Sequence, residues 1–284
     1  MGWLFIGLSI ICSVSIAHLL KSADKRSLRI LNILSVNYLV AMLIGFLLSD
    51  AEVIRSVPPA STLIFSSLIG AIFILNFLLY GRSLVQNGIG VSVASMRLSL
   101  LIPIIASVFF YDEILADFRY IGVTLVFLSI YFLLPNPQIK GQGTLSSRML
   151  LLILFVFTGI ADAALKIYER EFQLQLSEYA FLSILFGSAF ILSLIILEIR
   201  KALNFSAREV LFGIILGVVN LYSSFFLILA LQQLNGAIVF SVTNIGNVLA
   251  GALVGFFIWN DQVSTKQKAG LALAVLSILL LVIN

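Results

Sequence analysis

The segment FFYDEILADFRYIGV (109–123) returns 148 residues later as FIWNDQVSTKQKAGL (257–271), with no gap needed in either copy. On that register Phe109 meets Phe257, Tyr111 meets Trp259, Asp112 and Glu113 meet Asn260 and Asp261, and Gly122 meets Gly270. Further out, Ser129 falls on Ser277 and His18 on Lys166. The small-residue run GIGVSVAS (88–95) falls on the stretch around AIVFSVTN (237–244). Leucine matched to leucine says nothing in a chain this apolar. An aromatic residue, a carboxylate and a glycine recurring in the same order is informative, because it marks two equivalent joints.

The residues around those joints are those of a membrane bundle. Hydrophobic residues make up 61% of the 284 and charged ones 11%, and the mean hydropathy is +1.15. A soluble domain carries about 25% charged residues. The apolar runs lie at about 2–20, 29–48, 61–80, 88–110, 117–135, 148–168, 178–199, 208–231, 236–259 and 266–283. Each approaches the ~20 residues that cross a bilayer as a helix, and none alternates as a barrel strand would. The joints, such as KSADKRS (21–27) and NPQIKGQGTLSS (136–147), are too short to hold a soluble domain. The expected fold is an all-α integral membrane protein with ten transmembrane helices in two five-helix repeats, 1–140 and 148–284. Five is odd, so the second repeat enters the membrane in the opposite sense, which is the inverted topology of many secondary transporters.

Several function classes fall away. The chain has one cysteine, Cys12, and one histidine, His18, so a disulfide framework or a Cys/His zinc site within one chain is excluded. No cofactor or metal is expected. MGWLFIGLSI lacks a basic n-region and reads as a first span, not a cleaved signal; Ile6 stands where a myristoylation signal needs Ser or Thr. No GxxxxGK[ST] loop is present to cradle a nucleotide. An enzyme would need a nucleophile with a base, or paired acids at an interface, and neither pattern appears. The net charge of +4 belongs to loops beside a membrane and not to a nucleic-acid partner.

The chain resembles the drug/metabolite transporter superfamily, in particular its ten-helix EamA-like branch. The resemblance covers essentially the whole chain. It rests on the paired third and eighth helices, LIGAIFILNFLLYGRSL (68–84) and IILGVVNLYSSFFLILAL (214–231), on the small-residue fourth helix with Pro103, and on the FFYDEIL joint. The second copy departs from that joint by placing Asp261 where Glu is usual. The resemblance implies a cavity lined by the first, third, fourth, sixth, eighth and ninth helices. It names no single substrate, since the superfamily carries amino acids, sugars, nucleotide sugars and other metabolites.

Ionisable groups inside spans cost about 2.5–3.5 kcal/mol each on insertion scales. Arg97, Asp162 and Lys166 are therefore the residues to explain. Arg97 and Asp162 sit in spans that cross in the same direction, at depths ~7 Å apart. Two readings stand: an ion pair joining the halves, or a site for substrate or protons. The Arg97 fork grips a carboxylate or phosphate bidentately, and Asp162 suits an ammonium or a proton. Lys166, one turn after Asp162, reads as a snorkelling lysine or a member of a coupling or gating set. His18, its counterpart, reads as interfacial or as a proton-sensing gate. Asn76 and Tyr80 share a face of the third span, and Asn220 and Ser224 one of the eighth; Thr243, Asn244 and Asn247 mark the ninth. By the resemblance, Asn76, Tyr80, Asn220, Thr243, Asn244 and Asn247 become candidates for substrate binding, while Asn37 and Tyr38 lean towards structure. Glu113 and Asp261 read as carboxylates capping the helix that follows each.

The expected activity is secondary transport of a small polar metabolite, an amino acid or similar, with export the expected direction and protons the plausible coupling ion. A flippase for a lipid-linked sugar is the alternative, and a non-catalytic membrane scaffold a further one. The partners would be a small-molecule substrate and the lipid bilayer, with the chain a monomer or homodimer in the cell (inner or plasma) membrane. Lys and Arg number 12 in odd joints and 4 in even ones, which places the odd joints in the cytoplasm and the termini outside. The superfamily is usually described with cytoplasmic termini, so the two arguments conflict. The charge count is preferred for this chain.

Overall fold

The structure, a computed structural model, describes residues 1–49, 58–102, 117–133, 145–172, 174–234 and 236–282. Those residues form ten α-helices and no strand. They are α1 (Gly2–Lys25), α2 (Ile30–Leu48), α3 (Ala60–Asn87), α4 (Ile89–Leu98), α5 (Asp117–Leu133), α6 (Leu145–Ile167), α7 (Glu178–Ile199), α8 (Ala207–Gln233), α9 (Gly236–Phe257) and α10 (Thr265–Val282). A π turn, Tyr168–Phe172, extends α6. Six helices (α1, α2, α3, α6, α7 and α8) are long and apolar enough to cross a membrane; Ile89–Leu98 and Val242–Phe257 are shorter apolar stretches.

The chain turns where its residues dictate. α8 opens on a capping box in which Ser206 accepts from the Glu209 N–H and the Glu209 carboxylate accepts from the Ser206 N–H. That arrangement satisfies two of the donors a helix start leaves free. Ser264 and Gln267 do the same for α10. The fourth expected span is interrupted: α4 ends at Leu98, a turn covers Ser99 and Leu100, and helical backbone resumes at Leu101 and Ile102. Pro103 follows in the sequence. A proline lacks the N–H that continues a helix's hydrogen-bond ladder. The remainder of this expected span, 103–110, lies outside the described residues.

Packing runs mainly between the first five helices and the last five. α1 lies against α8 and α9, α2 against α7 and α8, α3 against α6 and α7, α4 against α9 and α6, and α5 against α10. Small residues let the backbones close up. A Cβ on Gly217 of α8 would stand 2.7 Å from the Asn37 carbonyl oxygen of α2, so only glycine fits that crossing. The interior holds Tyr38, Phe181, Phe186 and Leu34 with 0% exposure. Large apolar side chains point outward, among them Leu47, Ile199 and Phe257. Such outward apolar cover suits a lipid surrounding and would be costly in water.

Successive helices alternate in direction, so the charged joints gather at one end. There Arg29 ahead of α2 grips Glu209 of α8 with two N–H groups, at 2.8 and 2.9 Å. The Asn32 amide adds a bond to the same carboxylate at 3.1 Å. Lys21 pairs with Asp261, and Lys266 lies 4.2 Å from the Tyr131 ring centroid. This basic end also carries Arg148, Arg200, Lys201, Arg208 and Lys268.

Glu209 is the tightest polar tie between α2 and α8, with its side chain 4% exposed. Glu209→Ala removes a cap, a bidentate pair and the Asn32 bond together, and should cost about 2–4 kcal/mol. A clear fall in melting temperature is expected, with Glu209→Gln intermediate. A variant melting with the parent would contradict this assignment.

Candidate functional site

The site forms where α4 breaks. Arg97 occupies the last turn of α4, where the free carbonyls of a helix C-terminus favour a cation. Its guanidinium donates to the Ser13 hydroxyl of α1 at 2.6 Å, while its buried Nε has no hydrogen-bond partner among the described residues. Tyr80 of α3 and Asp162 of α6 lie within electrostatic range of it. The Ser99 hydroxyl sits between the Met96 carbonyl and the Asp162 carboxylate, and its single proton serves one of them at a time. Four helices thus bring polar groups to the Arg97 layer.

The expected direct Arg97–Asp162 ion pair is not what the structure forms. The direct ion pairs among the described residues are Lys21–Asp261 and Arg29–Glu209. Arg97 is aimed instead at Ser13, a residue that sequence reasoning did not single out. A lone serine on an apolar helix gives no sequence signal of its own.

The α9 face brings further polar groups to this level. Gly90 of α4 packs on Ala252, with a Cβ there only 3.1 Å from the Ala252 Cα, and Gly251 packs on Val93. The face 90–93–97 of α4 therefore runs antiparallel along the face 255–251–247–243 of α9. At 1.5 Å per residue, Asn247 falls about level with Arg97, and Thr243 one turn beyond. Asn247 is 0% exposed and Thr243 4%. Neither amide atom of Asn247 nor the Thr243 hydroxyl has a hydrogen-bond partner among the described residues. Buried polar atoms left this way cost about 1–3 kcal/mol each. Within about one helical turn of a charged guanidinium, they form a set suited to a polar solute or to water.

The other expected site residues divide. Asn76 accepts from Thr158 of α6 at 3.1 Å, and the Asn220 amide donates to Asn37 of α2 at 3.2 Å; both work as bridges between helices. Tyr80 is buried beside Phe77. Asn244 is buried on α9. His18 lies at the basic end, where its Nδ1 accepts from Trp259 Nε1 at 3.2 Å. Lys166 belongs to α6, and its side chain lies outside what is described, as does Glu113. No group of three His, Cys, Asp or Glu side chains gathers to hold a metal among the described residues.

Asp261 requires a correction. It does not cap α10, which Ser264 and Gln267 cap. Its Oδ2 accepts from the Ile89 N–H at 2.8 Å, so it caps α4, while Oδ1 holds Lys21 of α1. One carboxylate joins α1, α4 and α9 at the basic end. Two glycines make room for it: a Cβ would stand 2.9 Å from Oδ2 at Gly88 and 2.8 Å at Gly255. Gly88 also has φ +81, a backbone region that other residues enter at a cost. Gly88→Ala and Gly255→Ala should therefore each destabilise the protein by about 1–3 kcal/mol. Gly7→Ala, where an added Cβ meets nothing within 4 Å, should not. Equal melting temperatures for all three would refute the glycine cradle.

No family model matches the chain. A protein of Haemophilus influenzae, described as an uncharacterized protein, is 28% identical over 282 residues, spanning 95% of this chain and 94% of that one. A solved crystal structure of another protein superposes with a TM-score of 0.66 at 13% identity, covering 99% of this chain and 96% of that one. At that identity the likeness is one of fold, and it extends from one end of the bundle to the other.

Proposed function

We propose that the chain is a ten-helix secondary transporter of the drug/metabolite transporter type, moving a small polar solute by alternating access. The observation that carries this reading is Arg97, a permanent cation held at the broken end of α4 with its Nε unpartnered among the described residues. Asn247 at about the same level and Thr243 one turn beyond, both without a hydrogen-bond partner among the described residues, support it. Substrate sites beside interrupted helices near the bilayer midplane are a recurring transporter design.

The helix neighbours support an inverted repeat of 1–140 and 148–284. α1 against α8 and α9 is answered by α6 against α3 and α4, and α2 against α8 by α7 against α3. By the positive-inside rule the basic end faces the cytoplasm. The Asp261 tie would then close the cytoplasmic side, and its release would open the Arg97 layer to that side. The substrate's anionic group would lie on Arg97, with Ser13, Tyr80, Thr243 and Asn247 around it. Asp162, near Arg97 without pairing to it, would take the cationic end of a zwitterion or a coupling proton. An amino acid or similar metabolite in the cell membrane fits these groups, and gradients would supply the energy.

Proteoliposome flux of a panel of polar metabolites tests the reading. Arg97→Lys keeps charge but loses the fork, and should reduce flux about tenfold or more at near-parental melting temperature. Arg97→Ala should abolish it. If Arg97→Leu combined with Asp162→Leu transports normally, neither residue touches substrate or protons and the reading fails.

A further inference from the structure

The basic end contains a second polar concavity, separate from the Arg97 layer. A cleft of about 300 Å³ lies between the end of α1 and the α9–α10 joint, lined by His18, Ser22, Lys25, Arg26, Ile258 and Trp259. We propose that this cleft binds the phosphate of a phosphate ester, either an anionic phospholipid headgroup or a soluble ester.

The polar side chains that line the cleft all carry donors. An indole nitrogen only donates, so in the Trp259–His18 bond His18 Nδ1 accepts, and the neutral ring carries its proton on Nε2. Ser22 offers a hydroxyl. Lys25 stands 5.7 Å from the Trp259 ring centroid, and Arg26 lies over the Phe212 ring at 5.3 Å. Both cations are exposed, and neither has a carboxylate within ion-pair distance among the described residues. The acid beside the cleft, Asp261, is already held by Lys21 and by the Ile89 N–H. Two uncompensated cations and two neutral donors around one concavity suit a tetrahedral oxyanion, whose several oxygens accept from different directions. Ile258 and Trp259 supply an apolar wall for the organic part of the ester. The lipid source rests on the reading that the bundle spans a bilayer; the soluble source does not.

Trp259 reports on its own cleft. The chain has two tryptophans, so a Trp3→Phe background leaves Trp259 as the single fluorophore. The full chain would be titrated with glycerol 3-phosphate in detergent, and compared in phosphatidylcholine nanodiscs with and without phosphatidylglycerol. A saturable Trp259 response to glycerol 3-phosphate supports a soluble ester, and one confined to phosphatidylglycerol supports the lipid headgroup. Lys25→Gln with Arg26→Gln should weaken either response about tenfold or more. Lys201→Gln with Lys268→Gln, an equal loss of charge elsewhere at this end, should preserve it. Ser22→Asp, which puts a carboxylate into the cleft without removing a cation, should also abolish the response. No saturable response to either probe, or equal losses in the two double variants, would overturn the proposal.

Discussion

Arg97 keeps its charge at any accessible pH, so the helices around it must supply what water would have supplied. They do so incompletely. The end of α4 gives carbonyl dipoles, Ser13 gives one hydroxyl, and Asp162 gives an opposite charge at a distance. Nε is left over. The usual solution for a buried guanidinium is a bidentate carboxylate, and this chain builds that solution elsewhere, between Arg29 and Glu209. At Arg97 it stops short of it. An incompletely satisfied cation beside an unpartnered amide and hydroxyl is costly as pure scaffold. The arrangement is understandable if a solute or water completes it.

The rest of the bundle keeps that layer in place. Most helix contacts run between the first five helices and the last five, so neither set could bury its apolar faces alone. At Gly90, Gly251 and Gly255 the absence of side chains lets the α4 and α9 backbones approach closely. The polar ties at the basic end differ in kind. Glu209 is bound by a capping box and by Arg29 and Asn32 together, which makes it a fixed joint. Asp261 holds one backbone N–H and one lysine, in a cradle of glycines, and is the easier of the two to undo.

Much of the fold was legible in residue order. Apolar runs of bilayer length locate the helices, but the expected span 88–110 gives no sign that α4 stops at Leu98 with a turn at Ser99 and Leu100. The helix ends were harder: α3 continues to Asn87 because Gly81 and Ser83 are compatible with helix, and the expected stop at Tyr80 had no breaker behind it. Tertiary partners were the least legible. Nothing local says that Asp261 caps a helix 172 residues earlier, that Arg97 meets Ser13, or that Asn220 spends its amide on Asn37. The Ser206–Glu209 capping box is local, yet the second use of Glu209 as the anchor for Arg29 depends on a crossing that only the fold supplies.

The central claim is that the Arg97 layer is a solute-accessible site and not closed core, and thiol accessibility tests it most directly. In a Cys12→Ser background, Thr243→Cys places a thiol beside that layer, and Ala274→Cys places one in the apolar cluster of α10 with Val91 and Leu98. A small water-soluble thiol reagent, applied to the protein in membranes, should modify Thr243→Cys much faster than Ala274→Cys. Equal, negligible rates at the two positions would mean that the layer is sealed, and would contradict the account.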